Sequence, residues 1–235
     1  MAGGVRLATV VLAGLGGFSL PSCASSPAAS FSGDGVASGG HPAHRAATTT
    51  TSSTSTTVDP GALPQTDELP TSATPQFAQE MAALWQGVVQ DSVPAAMPSF
   101  FPEQAYVQVK AIADPEADFQ SRLVGEFGRD LGAAHSLLGA RPSSASLVSV
   151  NVPSQFAHWV PPGTCSNRVG YYEVPNSRVV YEEDGETRSF GIASLISWRG
   201  VWYVVHLGAV VRASQSGEVD DPEPGPGTSA PSSTC

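Results

Sequence analysis

Arg178, Trp202 and His206 are the side chains whose spacing comes nearest to a site, because one β-hairpin register gathers them on a single face. If Arg199-Gly200 is a two-residue turn, Trp198 lies opposite Val201, Ser197 opposite Trp202, Ser194 opposite Val205 and Ala193 opposite His206. Opposed residues point to the same side of a sheet. One face then carries Phe190, Ile192, Ser194, Ile196, Trp198, Val201, Tyr203, Val205 and Leu207, which is the expected core. The other carries Gly191, Ala193, Leu195, Ser197, Trp202, Val204 and His206, and the register through Asp184-Gly185 adds Arg178, Val180 and Ser189. Gly and Ala leave room on that second face. Trp202 offers an aromatic wall, and His206 with Arg178 would suit an anionic or carbonyl-bearing ligand. A plainer reading stands beside it: this is the thinner side of the sheet, with His206 hydrogen-bonded structurally. A one-residue slip would exchange the two faces.

Signs of catalysis are few. No Gly-x-Ser-x-Gly elbow, phosphate-binding loop or His-Glu-x-x-His run occurs. Asp130 and His135 are five residues apart on one predicted helix and do not share a face well. His158, beside Trp159, has no visible partner. His41 and His44 stand in a Ser/Thr-rich stretch and make a poor chelate. No catalytic residue, metal or cofactor is expected. The net charge of −10 provides no basic field for phosphate backbones, so nucleic acid is not an expected partner.

Cysteine chemistry points outward from the cell. Arg6 is the only charge before the apolar run Leu7 to Leu20, which breaks at Pro21-Ser22-Cys23. A basic start, an apolar stretch of this length and small residues at its exit make an export signal over 1–23. Leu20-Pro21-Ser22-Cys23 resembles the lipobox of bacterial lipoproteins, with Pro in place of the usual small residue. The resemblance implies lipid on Cys23 and a protein held at the outer leaflet of the cell membrane. Ordinary cleavage after Ala24, giving a secreted protein, is the alternative. Lipidation of Cys23 would leave Cys165 and Cys235 in an oxidising space, where they either form a disulfide or leave Cys235 unpaired.

The elements that must position these residues begin near Thr74. From 24 to 74 the chain is Ser, Thr, Ala, Gly and Pro with almost no large apolar residue, which predicts a disordered linker. Phe77, Met81, Leu84, Trp85 and Val88 then fall on one helical face behind Pro75. Pro94 and Pro98 restrict the next stretch to a short helix or turn, and Ala105 to Ile112 alternates as a strand would. Asp114 caps a second long helix whose apolar face is Phe119, Leu123, Phe127, Leu131 and Leu138, stopped by Gly139 and Pro142. Strands are predicted at 145–152, 168–174, 178–183, 186–198 and 201–207, with Asp184-Gly185 as a strong hairpin signal. After about Ser214 the acidic, Pro/Gly/Ser-rich tail reads as disordered.

The expected organisation is therefore one α+β domain over 75–212, flanked by the linker and by a disordered tail over 213–235. Its sheet is a curved antiparallel meander on two long helices and one short one. The ending Trp198-Arg199-Gly200-Val201-Trp202-Tyr203-Val204-Val205-His206-Leu207 is similar to the closing hairpin of the SnoaL-like and ketosteroid-isomerase-like superfamily. That resemblance implies a cone-like roll with a pocket. The leading expectation is an exported, lipid-anchored domain that binds a small ligand or a cell-envelope partner without catalysis. An isomerase-like enzyme using the cone pocket and a structural envelope protein without a pocket are the alternatives.

Overall fold

The computed structural model describes residues 59–212 and 214–231; the expected export signal over 1–23, Cys23 and Cys235 lie outside the described residues. Helix α1 spans Pro75–Gln90. Pro75 occupies its first position, and Thr74 Oγ1 accepts a hydrogen bond from the Phe77 amide at 3.1 Å. Its buried stripe is the expected one, Phe77, Met81, Leu84, Trp85 and Val88. Burying such side chains stabilises by about 1.5–3 kcal/mol apiece. A short helix α2 (Val93–Ala96) follows, then α3 (Glu103–Val109). The predicted strand over 105–112 is thus a helix for most of its length. Ala105, Tyr106 and Val109 bury at helical spacing behind Pro102, and a short apolar run does not distinguish the two periods.

The second long helical run has three parts in succession: α4 (Pro115–Asp118), a π-helical turn (Phe119–Leu123) and α5 (Val124–Leu137). Asp114 caps it as expected, accepting from the Ala117 amide at 3.0 Å. The wide turn buries Phe119 and Leu123, and Arg122 reaches back to Asp118 and Tyr106. π turns of this kind are frequent at functional sites.

The sheet is antiparallel, curved and six-stranded, which makes the domain α+β. Its strands are β1 (Ser146–Asn151), β2 (His158–Val160), β3 (Tyr171–Glu183), β4 (Glu186–Trp198), β5 (Val201–His206) and β6 (Asp220–Pro224). β1, β3, β4 and β5 follow one another, while β2 pairs with β3 and β6 with β4. Pro175-Asn176-Ser177 does not end a strand; β3 runs through it, with Asn176 at φ 48°. Both predicted hairpin turns form, with positive φ at Asp184 and Gly185 and again at Arg199 and Gly200. Two left-handed central residues are what the tight hairpin turn requires. One face of the sheet meets the helices: Trp85 lies 5.4 Å from Tyr181, and Phe101 packs edge-on against Trp198 and Tyr203.

The ordered chain is wider than 75–212 on both sides. Upstream, a 3-10 turn at Pro60–Ala62 takes the Trp198 Nε1–H on the Pro60 carbonyl at 2.9 Å. Gln65 donates to the Ser197 carbonyl at 2.9 Å and accepts from the Arg199 amide at 2.7 Å. Downstream, the expected disordered tail contains β6. It lies on the Arg188–Gly191 part of β4, which the much shorter β5 leaves uncovered, and so closes an open edge. The composition of both segments is poor in apolar residues; backbone pairing and polar side chains hold them instead.

A lock precedes β6. Asp130, on α5 and fully buried, accepts from Arg212 Nη1 and Nη2 at 2.6 and 2.5 Å and from the amides of Gly208 and Glu218 at 2.9 and 3.0 Å. Gly217 passes so close to the Arg129 carbonyl that a Cβ there would lie 2.0 Å from the oxygen. Among the described residues no helix is long and apolar enough to cross a membrane.

Candidate functional site

The hairpin register holds for Trp198–Val201, Ser197–Trp202, Ile196–Tyr203 and Leu195–Val204, then shifts. His206 pairs with Ser194, not Ala193, so Val205 is the extra residue of a bulge. The consequence reverses one assignment. His206 turns to the helix-packed face, while Trp202 stays buried on the other. Arg178 is also on that other face, opposite Gly191. It is buried beneath the tail, donating from Nη2 to Ser189 Oγ and to the Asp221 carbonyl, both at 2.8 Å. Arg178, Trp202 and His206 therefore do not form one site.

His206 lines a cavity of about 360 Å³ between the helices and the sheet. The sheet contributes Glu173, Ser194 and His206; Tyr106, Lys110 and Arg122 come from the helical side. Glu173 is 3% exposed, and its Oε1 accepts from Ser194 Oγ at 2.6 Å. His158 Nε2 lies 3.7 Å from the other carboxylate oxygen. Lys110 donates to the carbonyl of Cys165, another wall residue, at 3.1 Å. Cys165 is disulfide-bonded; Cys23 and Cys235, the other cysteines of the chain, fall outside the described residues.

The helical wall is a preset array. Tyr106 OH donates to Asp118 Oδ2 and accepts from Arg122 Nη2 at 2.9 Å, and Arg122 Nε donates to Asp118 Oδ1 at 2.7 Å. The Arg122 guanidinium holds the Asp118 carboxyl below its usual range. Burial, helped by its bond to Asp118, pushes the Tyr106 phenol well up, so it stays a neutral donor. Burial lowers Lys110, and the neighbouring Arg122 charge lowers it further. Burial also drives His206 down to about 4, with Arg122, Arg212 and Lys110 adding repulsion. At neutral pH His206 is thus an uncharged imidazole, one nitrogen able to donate and the other to accept. Among the described residues nothing hydrogen-bonds either one.

The cavity therefore offers an imidazole, a carboxylate, an ammonium and a guanidinium-backed phenol to one guest. These groups can bind a polar molecule in a fixed orientation, and a neutral imidazole sharing a cavity with a carboxylate can also move a proton through a guest. Among the described residues no group of three His, Cys, Asp or Glu side chains is placed to hold a metal ion. Sequence reasoning missed Glu173, Ser194, Tyr106 and Arg122, which come from four separate elements. Lys110 carried one signal, being the sole lysine of the chain.

The fold and cavity define an α+β domain with an internal polar site. No family model matches the chain, and neither the curated proteins nor the solved structures include a significant match to it.

Proposed function

We propose that this protein is an exported, lipid-anchored domain that binds a small polar molecule in the cavity around His206, without catalysis. The unpartnered His206 imidazole, facing the same cavity as Glu173 and Lys110, is the observation that carries the reading. Polar groups held in a pocket and left without protein partners are the ordinary signature of a ligand site. The disulfide at Cys165 supports the extracytoplasmic part, because such bonds persist in oxidising compartments. If Cys23 carries lipid, Cys235 is the cysteine left in the sequence to pair with Cys165.

Native mass spectrometry of the full-length protein, extracted from its own envelope in mild detergent, tests the reading. A small molecule should remain bound to the wild type and be lost from Glu173→Gln and His206→Ala. Equal retention by these variants, or an empty wild type that no polar metabolite mixture stabilises against heat, would reject it. The same spectra test the anchor: the mature chain should begin at an acylated Cys23, and a free amino terminus at Ala24 or Ser25 would contradict it. The enzyme alternative draws on the neutral His206 and Glu173 sharing one cavity. Turnover of the bound molecule by the wild type, abolished in Glu173→Gln, would favour it over binding alone.

A further inference from the structure

A second cavity, of about 590 Å³, lies away from His206 where α1, α2 and the π turn meet the Phe100-Phe101-Pro102 corner. Its walls are largely apolar: Val93, Met97 and Phe100 on one side, Phe119 and Tyr203 on others. Its charged lining groups are Glu80 and Glu103, with no Lys, Arg or His among them. Glu103 is already engaged, accepting from Gln120 at 2.8 Å. Glu80 is 7% exposed, and only its Oε1 is satisfied, by Gln76 Nε2 at 3.0 Å. Its Oε2 is buried and has no hydrogen-bond partner among the described residues.

A carboxyl group left half-satisfied in an apolar recess is complete only when a donor reaches it. We propose that this cavity is a binding site for a small amine: a primary ammonium group that donates to Glu80 Oε2, carried on an apolar body. Three features select this class over a neutral or anionic guest. Both acidic lining groups attract a cation and repel a carboxylate. Phe100, Phe119 and Tyr203 line the cavity and give an apolar body bearing an ammonium aromatic surface to pack against. Burial also pushes Glu80 up to about 7, so the proton it holds is readily released when a cation arrives. The site shares no lining residue with the His206 cavity except Phe101, so the two stand or fall separately.

The test uses the full-length protein at pH 7.5 and three probes of one shape: 3-phenylpropylammonium chloride, 3-phenylpropan-1-ol and sodium 3-phenylpropionate. Titration calorimetry should give the ammonium at least tenfold tighter binding than the alcohol, with the carboxylate weakest. Amide NMR shifts should map to Gln76–Glu80 and Val93–Phe101 and not to the residues beside His206. Glu80→Gln, nearly isosteric, should lower ammonium affinity at least tenfold while leaving the alcohol unchanged. Equal binding of ammonium and alcohol by the wild type, shifts confined to the His206 cavity, undiminished ammonium affinity in Glu80→Gln or no binding at all would each overturn the proposal. The probe comparison needs no variant, so a misfolded Glu80→Gln does not rescue it.

Discussion

Asp130→Ala should be the most damaging polar substitution in this domain. The carboxylate is 1% exposed and accepts four hydrogen bonds, two of them from Arg212 and two from the Gly208 and Glu218 amides. The Arg212 side chain is itself only 8% exposed. Truncation leaves a guanidinium and two amides with no acceptor, and breaking a buried pair on one side costs about 3–5 kcal/mol. A domain of this size loses roughly 2–4 °C in Tm per kcal/mol, so the melt should fall by about 6–20 °C. Arg212→Met should also destabilise. The double variant should recover about 1–3 kcal/mol relative to the sum of the two, because each single variant strands the other's partner. Circular-dichroism melts with urea titrations would measure all three. Hydrogen exchange adds a local readout: Glu218 stands two residues before β6, so the amides of 188–191 should lose protection first. A loss below about 1 kcal/mol for Asp130→Ala, or strictly additive single variants, would refute the lock.

Two further outcomes follow from burial and charge. Trp198 is 1% exposed, bonded to Pro60 and packed on Phe101, so Trp198→Ala should cost about 3–5 kcal/mol, whereas His206→Ala should cost under about 1 kcal/mol because no protein group depends on it; thermal melts in which His206→Ala is the worse variant would make His206 a structural residue and remove the cavity reading. Glu80 rises from 4.5 to about 7 on folding, so the folded chain holds a proton that the unfolded chain releases between those values. Stability therefore falls as pH climbs from about 4.5 to 7 and levels beyond, by about 3 kcal/mol. Glu80→Gln should match the wild type near pH 4 and exceed it at pH 8, and parallel pH profiles of the two would contradict this.

How far the fold was legible depended on what holds each element. Helix α1 and the α4–α5 run show their periodicity and their caps in the sequence, because apolar burial and local hydrogen bonds fix them. The α3 segment did not, since seven residues give either period too little length to declare itself. β6, with sequence Asp-Asp-Pro-Glu-Pro, buries almost nothing. Its place comes from pairing with an edge whose vacancy arises only once β4 outruns β5, a fact of the assembled sheet.

The site turned on a single residue in the same way. The turn at Arg199-Gly200 fixed four pairs of the hairpin as counted, and no glycine or proline marks the bulge at Val205. Without it His206 would stand with Trp202, on the face away from the helices. With it, His206 crosses to the cavity that Tyr106, Lys110 and Arg122 wall from the helical side. The bulge costs the ladder regular pairing, and among the described residues the imidazole it delivers has no hydrogen-bond partner. Packing alone gives no reason for a polar group in that position; the proposed guest, by using the ring nitrogens, would supply one.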